Sequence, residues 1–142
     1  MGYTHYWRMD APLKITETQR KLIDEIITEY RPILSGWDGT GELEFTKDIL
    51  SFNGIGPDDD HETFRVEFGK QEEFQFCKTA QKPYDEPVMK VLLVLALSKG
   101  FNFSSDGEVN AGGEWEEALQ WFCKKGFADT LKKKIYPYLK DR

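Results

Sequence analysis

The sequence predicts an α+β fold: a single globular domain, residues 1–142, with four to five short, mostly antiparallel strands packed against three to four helices. Three observations predict it. A chain of 142 residues, 39% hydrophobic and 31% charged, suits one soluble domain with one core. Stretches that alternate with period two are interleaved with stretches of helical spacing. Turn signals such as Asn53-Gly54 and Asp106-Gly107 close the short strand-like runs, which favours hairpins over long crossovers. There is no internal repeat, low-complexity tract or linker.

Tyr3 to Arg8 is aromatic and reads as a first strand, with Tyr3, His5 and Trp7 on one face and Thr4, Tyr6 and Arg8 on the other. Thr16 to Leu34 reads as a helix with an apolar stripe of Leu22, Ile23, Ile26, Ile27, Tyr30 and Leu34. Thr16 or Thr18 is its expected cap, and Pro32 ends or kinks it. A glycine-rich loop, Gly36 to Gly41, leads to a hairpin of Ile49 to Phe52 with Glu62 to Phe68. Phe74 to Thr79 is a further strand, with Phe74, Phe76 and Lys78 on one side and Gln75, Cys77 and Thr79 on the other. Asp85 is placed to cap a central helix whose Val88 to Ser98 stretch is apolar almost all round, with Gly100 at its C-cap. Phe101 to Ser105 is a short strand. Glu114 to Lys124 is a helix burying Trp115, Leu119 and Phe122, and Phe127 to Leu139 is a last, basic helix.

Composition excludes several function classes. Lys and Arg number 19 against 25 Asp and Glu, a net charge of −6, so the chain is a poor binder of duplex nucleic acid, which depends on cations against phosphates. Two cysteines, Cys77 and Cys123, set no disulfide framework. The N-terminus has no apolar signal region, and Tyr6 stands where a myristoylation motif takes Ser or Thr. The longest apolar run, Val91 to Leu97, falls far short of the roughly 20 residues that span a bilayer. The expectation is a soluble cytoplasmic protein that uses no membrane.

Three polar blocks carry the candidate chemistry. The first strand offers Tyr3 and Trp7 as stacking surfaces, His5 as a hydrogen-bonding group and Arg8 as a cation, or else forms a core layer with a satisfied buried histidine. The segment Phe76 to Asp85 gathers Lys78, Thr79, Lys82, Tyr84 and Asp85 before a helix N-terminus, where phosphate or carboxylate is favoured unless Asp85 itself caps the amides. Ser105 and Asp106 sit at a strand end, and Asn53 opens a turn. Cys77 with His5 would make a nucleophile and base, although a strand cysteine is more often inert and Cys123 more often core. No Walker or dinucleotide fingerprint is present. Asp58 to Glu62 fails the calcium-loop pattern, with Thr63 and Gly69 where Gly and Glu are needed, so no metal or cofactor is expected. Lys132 to Lys134 reads as a solvated face.

Met1 to Arg8, Ile49 to Gly54, Phe76 to Asp85 and Ser104 to Gly107 together resemble a family of small, uncharacterised bacterial and phage proteins. Its members open Gly-Tyr-Thr-His-Tyr-Trp and carry a Cys-Lys-Thr-Ala-x-Lys-Pro-Tyr-Asp segment. The resemblance runs in blocks to about Phe122, and Gln81 stands where the family pattern has a basic residue. It implies no particular chemistry, but its phage members imply a role in host–virus conflict.

From the residues, the leading expectation is a small-molecule binding protein for an anionic, ring-bearing ligand such as a nucleotide or nucleotide-derived signal. Tyr3, Trp7 and Trp37 would stack, Arg8, Lys78 and Lys82 would meet phosphate, and Asn53, Thr79, Tyr84, Ser105 and Asp106 would bond sugar or base edges. With the resemblance, that pocket would sequester a host immune messenger. Two other classes compete: an enzyme on the same kind of ligand with His5 as acid or base and Asp85 or Asp106 in support, and a protein-interaction module that inhibits a host protein through an acidic surface. A homo-oligomer with a shared pocket stays among the expectations.

Overall fold

The computed structural model describes residues 3–110 and 112–138. Met1 and Gly2 of the opening motif, Ala111 in the loop after Gly107, and Leu139 of the expected last helix lie outside the described residues.

Strand β1 (Thr4–Met9) is followed by helix α1 (Glu17–Tyr30), then by β2 (Glu44–Phe45), β3 (Ile49–Phe52), β4 (Phe64–Glu67) and β5 (Gln75–Lys78). Helix α2 (Asp85–Leu95), β6 (Phe101–Ser105) and α3 (Glu116–Phe122) complete the ordered elements, and shorter helical turns fill Cys123–Phe127 through Tyr136–Tyr138. The strands form two antiparallel three-stranded sheets, in the orders β5-β1-β6 and β2-β3-β4. The architecture is the α+β single domain that the patterning predicts. The division into two sheets, and the two-residue β2, are additions to it.

The N-terminal strand becomes the centre of its sheet because two chain-distant strands flank it. His5 faces Cys77 on one side and Ser105 on the other. Its inward residues His5, Trp7 and Met9 are buried, while Tyr6 and Arg8 face outward. Trp7 meets Phe64 of the second sheet at 5.1 Å between ring centres, and one apolar cluster joins both sheets to the helices.

Helix α1 starts where a capping box closes: Gln19 N donates to Thr16 Oγ1, and Thr16 N donates to Gln19 Oε1. Its stripe of Leu22, Ile23, Ile26 and Ile27 packs against α2. It stops at Tyr30, two residues before Pro32, and a 3₁₀ turn over Arg31–Ile33 follows. Helix α2 is buried on every side from Pro87 to Leu95.

Four local expectations are corrected. Asp85 does not cap α2: Tyr84 holds the cap position, and the Asp85 carboxylate turns to other partners. Helix α2 ends at Leu95 with Ala96 as its cap, and Gly100 (φ +85°) instead forms the turn into β6, against Ala11. The last helix is not a regular α-helix: one α turn over Ala128–Thr130 passes into a wider turn over Leu131–Ile135 and a 3₁₀ turn over Tyr136–Tyr138, and Gly126 (φ +101°), just before it, separates it from α3. Cys123 is exposed rather than core.

Candidate functional site: a buried polar cluster and an open aromatic face

The three polar blocks converge. His5 is fully buried, and its Nδ1 lies 2.8 Å from Ser105 Oγ and its Nε2 2.6 Å from Asp85 Oδ1. Thr79 Oγ1 donates to the same Asp85 oxygen at 2.5 Å. Ser105 Oγ accepts from Trp115 Nε1 at 3.0 Å and from Gly107 N at 3.0 Å. Those two donors fill both lone pairs of the hydroxyl, so its proton goes to His5 Nδ1. Nε2 then carries the ring proton and donates it to Asp85. Tyr3 and Trp115 close on the imidazole edge-on, with ring centres at 5.2 and 5.4 Å.

This constellation contains Ser, His and Asp, but it is not arranged to attack a substrate. In hydrolytic triads the serine bonds Nε2 and the carboxylate bonds Nδ1; here the ring is turned the other way. Ser105 is inaccessible and its oxygen is saturated by two protein donors. The cluster clamps three chain segments together at the centre of the sheet. Its neighbourhood carries strain of the kind that tightly packed surroundings sustain: Ala80 and Gln81, immediately after Thr79, both adopt positive φ (54° and 57°). Thr79 N and Ala80 N both donate to Tyr3 O. The Tyr3 hydroxyl is buried against Gly107 and beside Ser105, and burial, reinforced by Asp85, holds the phenol well above its ordinary pKa.

Asn53, Tyr84 and Lys82 serve a second unit, the loop from Gly54 to Thr63. Asn53 Oδ1 accepts from Gly54 N and His61 N, and its Nδ2 donates to His61 O and Thr63 Oγ1. Tyr84 OH donates to Glu62 O at 2.5 Å, and Lys82 Nζ donates to Asp58 O at 2.8 Å. The cleft beside Lys82, about 490 Å³, is lined by Pro57, Asp58, Asp60, His61 and Glu62, a lining that repels phosphate. Cys77 lies opposite His5 on the neighbouring strand, yet the two do not bond each other. Its thiol points to Glu62 O, and burial pushes it up to about 12, so it is no thiolate nucleophile. Trp7 is only 3% exposed and offers no stacking face.

The accessible candidates lie on the other side of the same sheet. Phe74 and Phe76 are 59% and 52% exposed. Phe74 stacks on Tyr6 (6.1 Å, interplanar 28°) and lies 5.9 Å from Phe76. Tyr6 and Phe76 are cross-strand partners. Arg8 and Lys78 follow Tyr6 and Phe76 by two residues and so share their face. Asp106 anchors the rim, accepting from Thr4 N at 3.0 Å and from Tyr6 OH at 3.1 Å. Sequence reasoning missed Tyr6, Phe74 and Phe76 as site residues. The available signal was the parity of β5, which sets both phenylalanines opposite Cys77 and Thr79.

Among the described residues no group of three His, Cys, Asp or Glu side chains is placed to hold a metal ion, and no helix is long and apolar enough to cross a membrane. No family model, curated protein or solved structure matches this chain.

Proposed function

We propose that this chain is a binding domain for an anionic, ring-bearing ligand of the nucleotide type, taken on the outer face of the β5-β1-β6 sheet rather than in an enclosed pocket. The observation that carries the reading is the aromatic group of exposed Phe74 and Phe76 with half-buried Tyr6, with a cation at each end, Lys78 and Arg8, the latter 3.4 Å from the Asp10 carboxylate. Flat aromatic faces on a sheet accept bases by stacking, at about 1–3 kcal/mol per base, while flanking cations meet phosphate. The residues that would make a pocket are already committed: Thr79 to Asp85, Lys82 to Asp58 O and Tyr84 to Glu62 O. The inaccessibility of Ser105 and His5 supports binding over turnover.

The test is calorimetric titration of the purified chain with mononucleotides, dinucleotides and short single-stranded oligonucleotides. The expected result is micromolar binding that Phe74→Ala with Phe76→Ala weakens at least tenfold while Trp37→Ala leaves it unchanged. No binding by any of these ligands at micromolar concentration sinks the reading.

A further inference from the structure

A second surface is built by two loops that adjoin β5, where Lys78 N donates to Glu62 Oε1 at 2.7 Å. The turn around Trp37–Gly39 and the loop from Gly54 to Thr63 form one unit: Gly56 N donates to Gly39 O at 2.9 Å, Asp38 N to Thr63 Oγ1 at 3.3 Å, and Ser35 and Asn53 exchange backbone bonds at 2.8 and 3.0 Å. The unit is tightly built. A Cβ at Gly39 would run into the Asp60 carboxylate, and one at Gly54 into Asp59 O. From this frame Trp37 projects, 68% exposed, more than any other large apolar side chain among the described residues, with Ile55 44% exposed on the partner loop.

The charge of the unit sets the kind of partner. Residues 36–42 and 54–63 hold six carboxylates (Asp38, Glu42, Asp58, Asp59, Asp60 and Glu62) and no Lys or Arg. Set aside those six of the chain's 25 acidic residues, and the remainder balances its 19 Lys and Arg. The formal charges outside the unit therefore balance, and the unit that displays the exposed tryptophan carries the acidic excess, with Arg31 at 3.9 Å from Glu42 on its edge. The cation lining the neighbouring cleft, Lys82, has its ammonium on Asp58 O. Exposed tryptophans on firm frames are typical anchor residues of interfaces, and a surface of one charge sign selects a partner of the other.

We propose that this two-loop unit docks a basic segment of a partner protein, one that sets an apolar or cationic side chain on Trp37 and Lys or Arg against the surrounding carboxylates. The proposal names none of the sheet-face side chains, although the unit meets that face where Glu62 accepts from Lys78 N.

The experiment uses two labelled synthetic peptides of equal length, one alternating Lys and Leu, the other alternating Glu and Leu. Fluorescence polarisation and tryptophan emission are read at low and at high salt. The expected result is saturable, salt-sensitive binding of the lysine peptide with a shift in tryptophan emission, and no binding of the glutamate peptide. Trp37→Ala is expected to weaken binding at least tenfold, and Asp58→Asn with Asp59→Asn to weaken it and flatten its salt dependence. Phe74→Ala with Phe76→Ala is expected to leave it unchanged, which separates this surface from the sheet face. Thermal melts of the variants check that each is folded. Wild-type affinity in a folded Trp37→Ala variant overturns the proposal. So does self-association of the chain that Trp37→Ala abolishes, because a second copy would then be the occupant.

Discussion

Each face of the β5-β1-β6 sheet carries an exception to the usual distribution of side chains: polar residues sit among buried Trp7, Met9, Cys77 and Phe103 inside, and exposed rings sit beside Arg8 and Lys78 outside. The inner face carries His5, Thr79 and Ser105 at or near zero exposure, and the outer face carries Phe74 and Phe76 more than half exposed. Burying a polar group costs free energy unless it is hydrogen-bonded, so the inner residues are tolerable only as a mutually satisfied set. They meet that condition: His5, Thr79 and Ser105 each have a protein partner, and Asp85 takes two of the bonds. The outer aromatics need no such justification for stability and find none in packing. The comparison separates two kinds of conspicuous residue. Inside, unusual chemistry serves to hold three distant segments in register; outside, it is left available to a ligand.

The largest test of the comparison is removal of the inner hub. Asp85→Ala leaves the His5 ring N–H and the Thr79 hydroxyl buried without an acceptor, and the expected loss of stability is about 3–5 kcal/mol by chemical denaturation. Asp85→Asn, which keeps one oxygen, is expected to lose less. An Asp85→Ala variant as stable as the wild type would show that the cluster is not a clamp. Ser105→Ala comes next. It strips the Trp115 indole, the Gly107 amide and His5 Nδ1 of their common partner, and the expected cost is about 2–3 kcal/mol.

A third polar site sharpens the contrast because it is incompletely satisfied. Glu86, half-buried in the first turn of α2, has one oxygen shielded from water without a partner. Burial pushes its carboxyl up to about 7, and Glu117 adds to the push while Lys90 opposes it. The folded state therefore holds this proton more tightly than the unfolded chain, whose carboxyl titrates near 4.5. The stability it contributes is full below about 4.5 and is lost as pH rises through about 7. Because Glu86 is partly solvated, the loss is expected to be on the order of 1 kcal/mol. Glu86→Gln is expected to flatten the stability profile between these pH values, and a profile identical to the wild type would remove Glu86 as its cause.

How much of this was legible in the sequence follows the range of the interactions. Strand β6 appears over Phe101–Ser105 as read, because Asp106-Gly107 ends it and its alternation is strict. The α1 cap at Thr16 is also local, a matter of three residues. The convergence of residues 5, 79, 85 and 105 is not local: His5 meets Ser105 across 100 positions, and no periodicity encodes that pairing. Period two shows which residues of β1 share a face but not which face turns inward, so Trp7 reads as a stacking surface although the second sheet covers it through Phe64. Asp85 reads as a cap, but Tyr84 takes that position, and the Asp85 carboxylate, one residue inside the helix, is held by a buried imidazole and a hydroxyl that would cost more unpaired than an uncapped α2.

The smallest expected effect on stability is the most informative about function. Phe74→Ala with Phe76→Ala removes two rings that are mostly in water, so the expected change is within about 0.5 kcal/mol per site. Their ring contacts are with each other and with Tyr6, and the Tyr6 hydrogen bond to Asp106 does not involve them. If the denaturation midpoint falls by much more, the outer face is a packing surface like the inner one, and the contrast between the two faces fails. If the midpoint holds and ring-bearing ligands no longer bind, the exposed stack is what the ligand meets. The pairing of the two readouts is what decides: the inner residues are expected to change stability, and the outer residues to change binding with stability nearly constant.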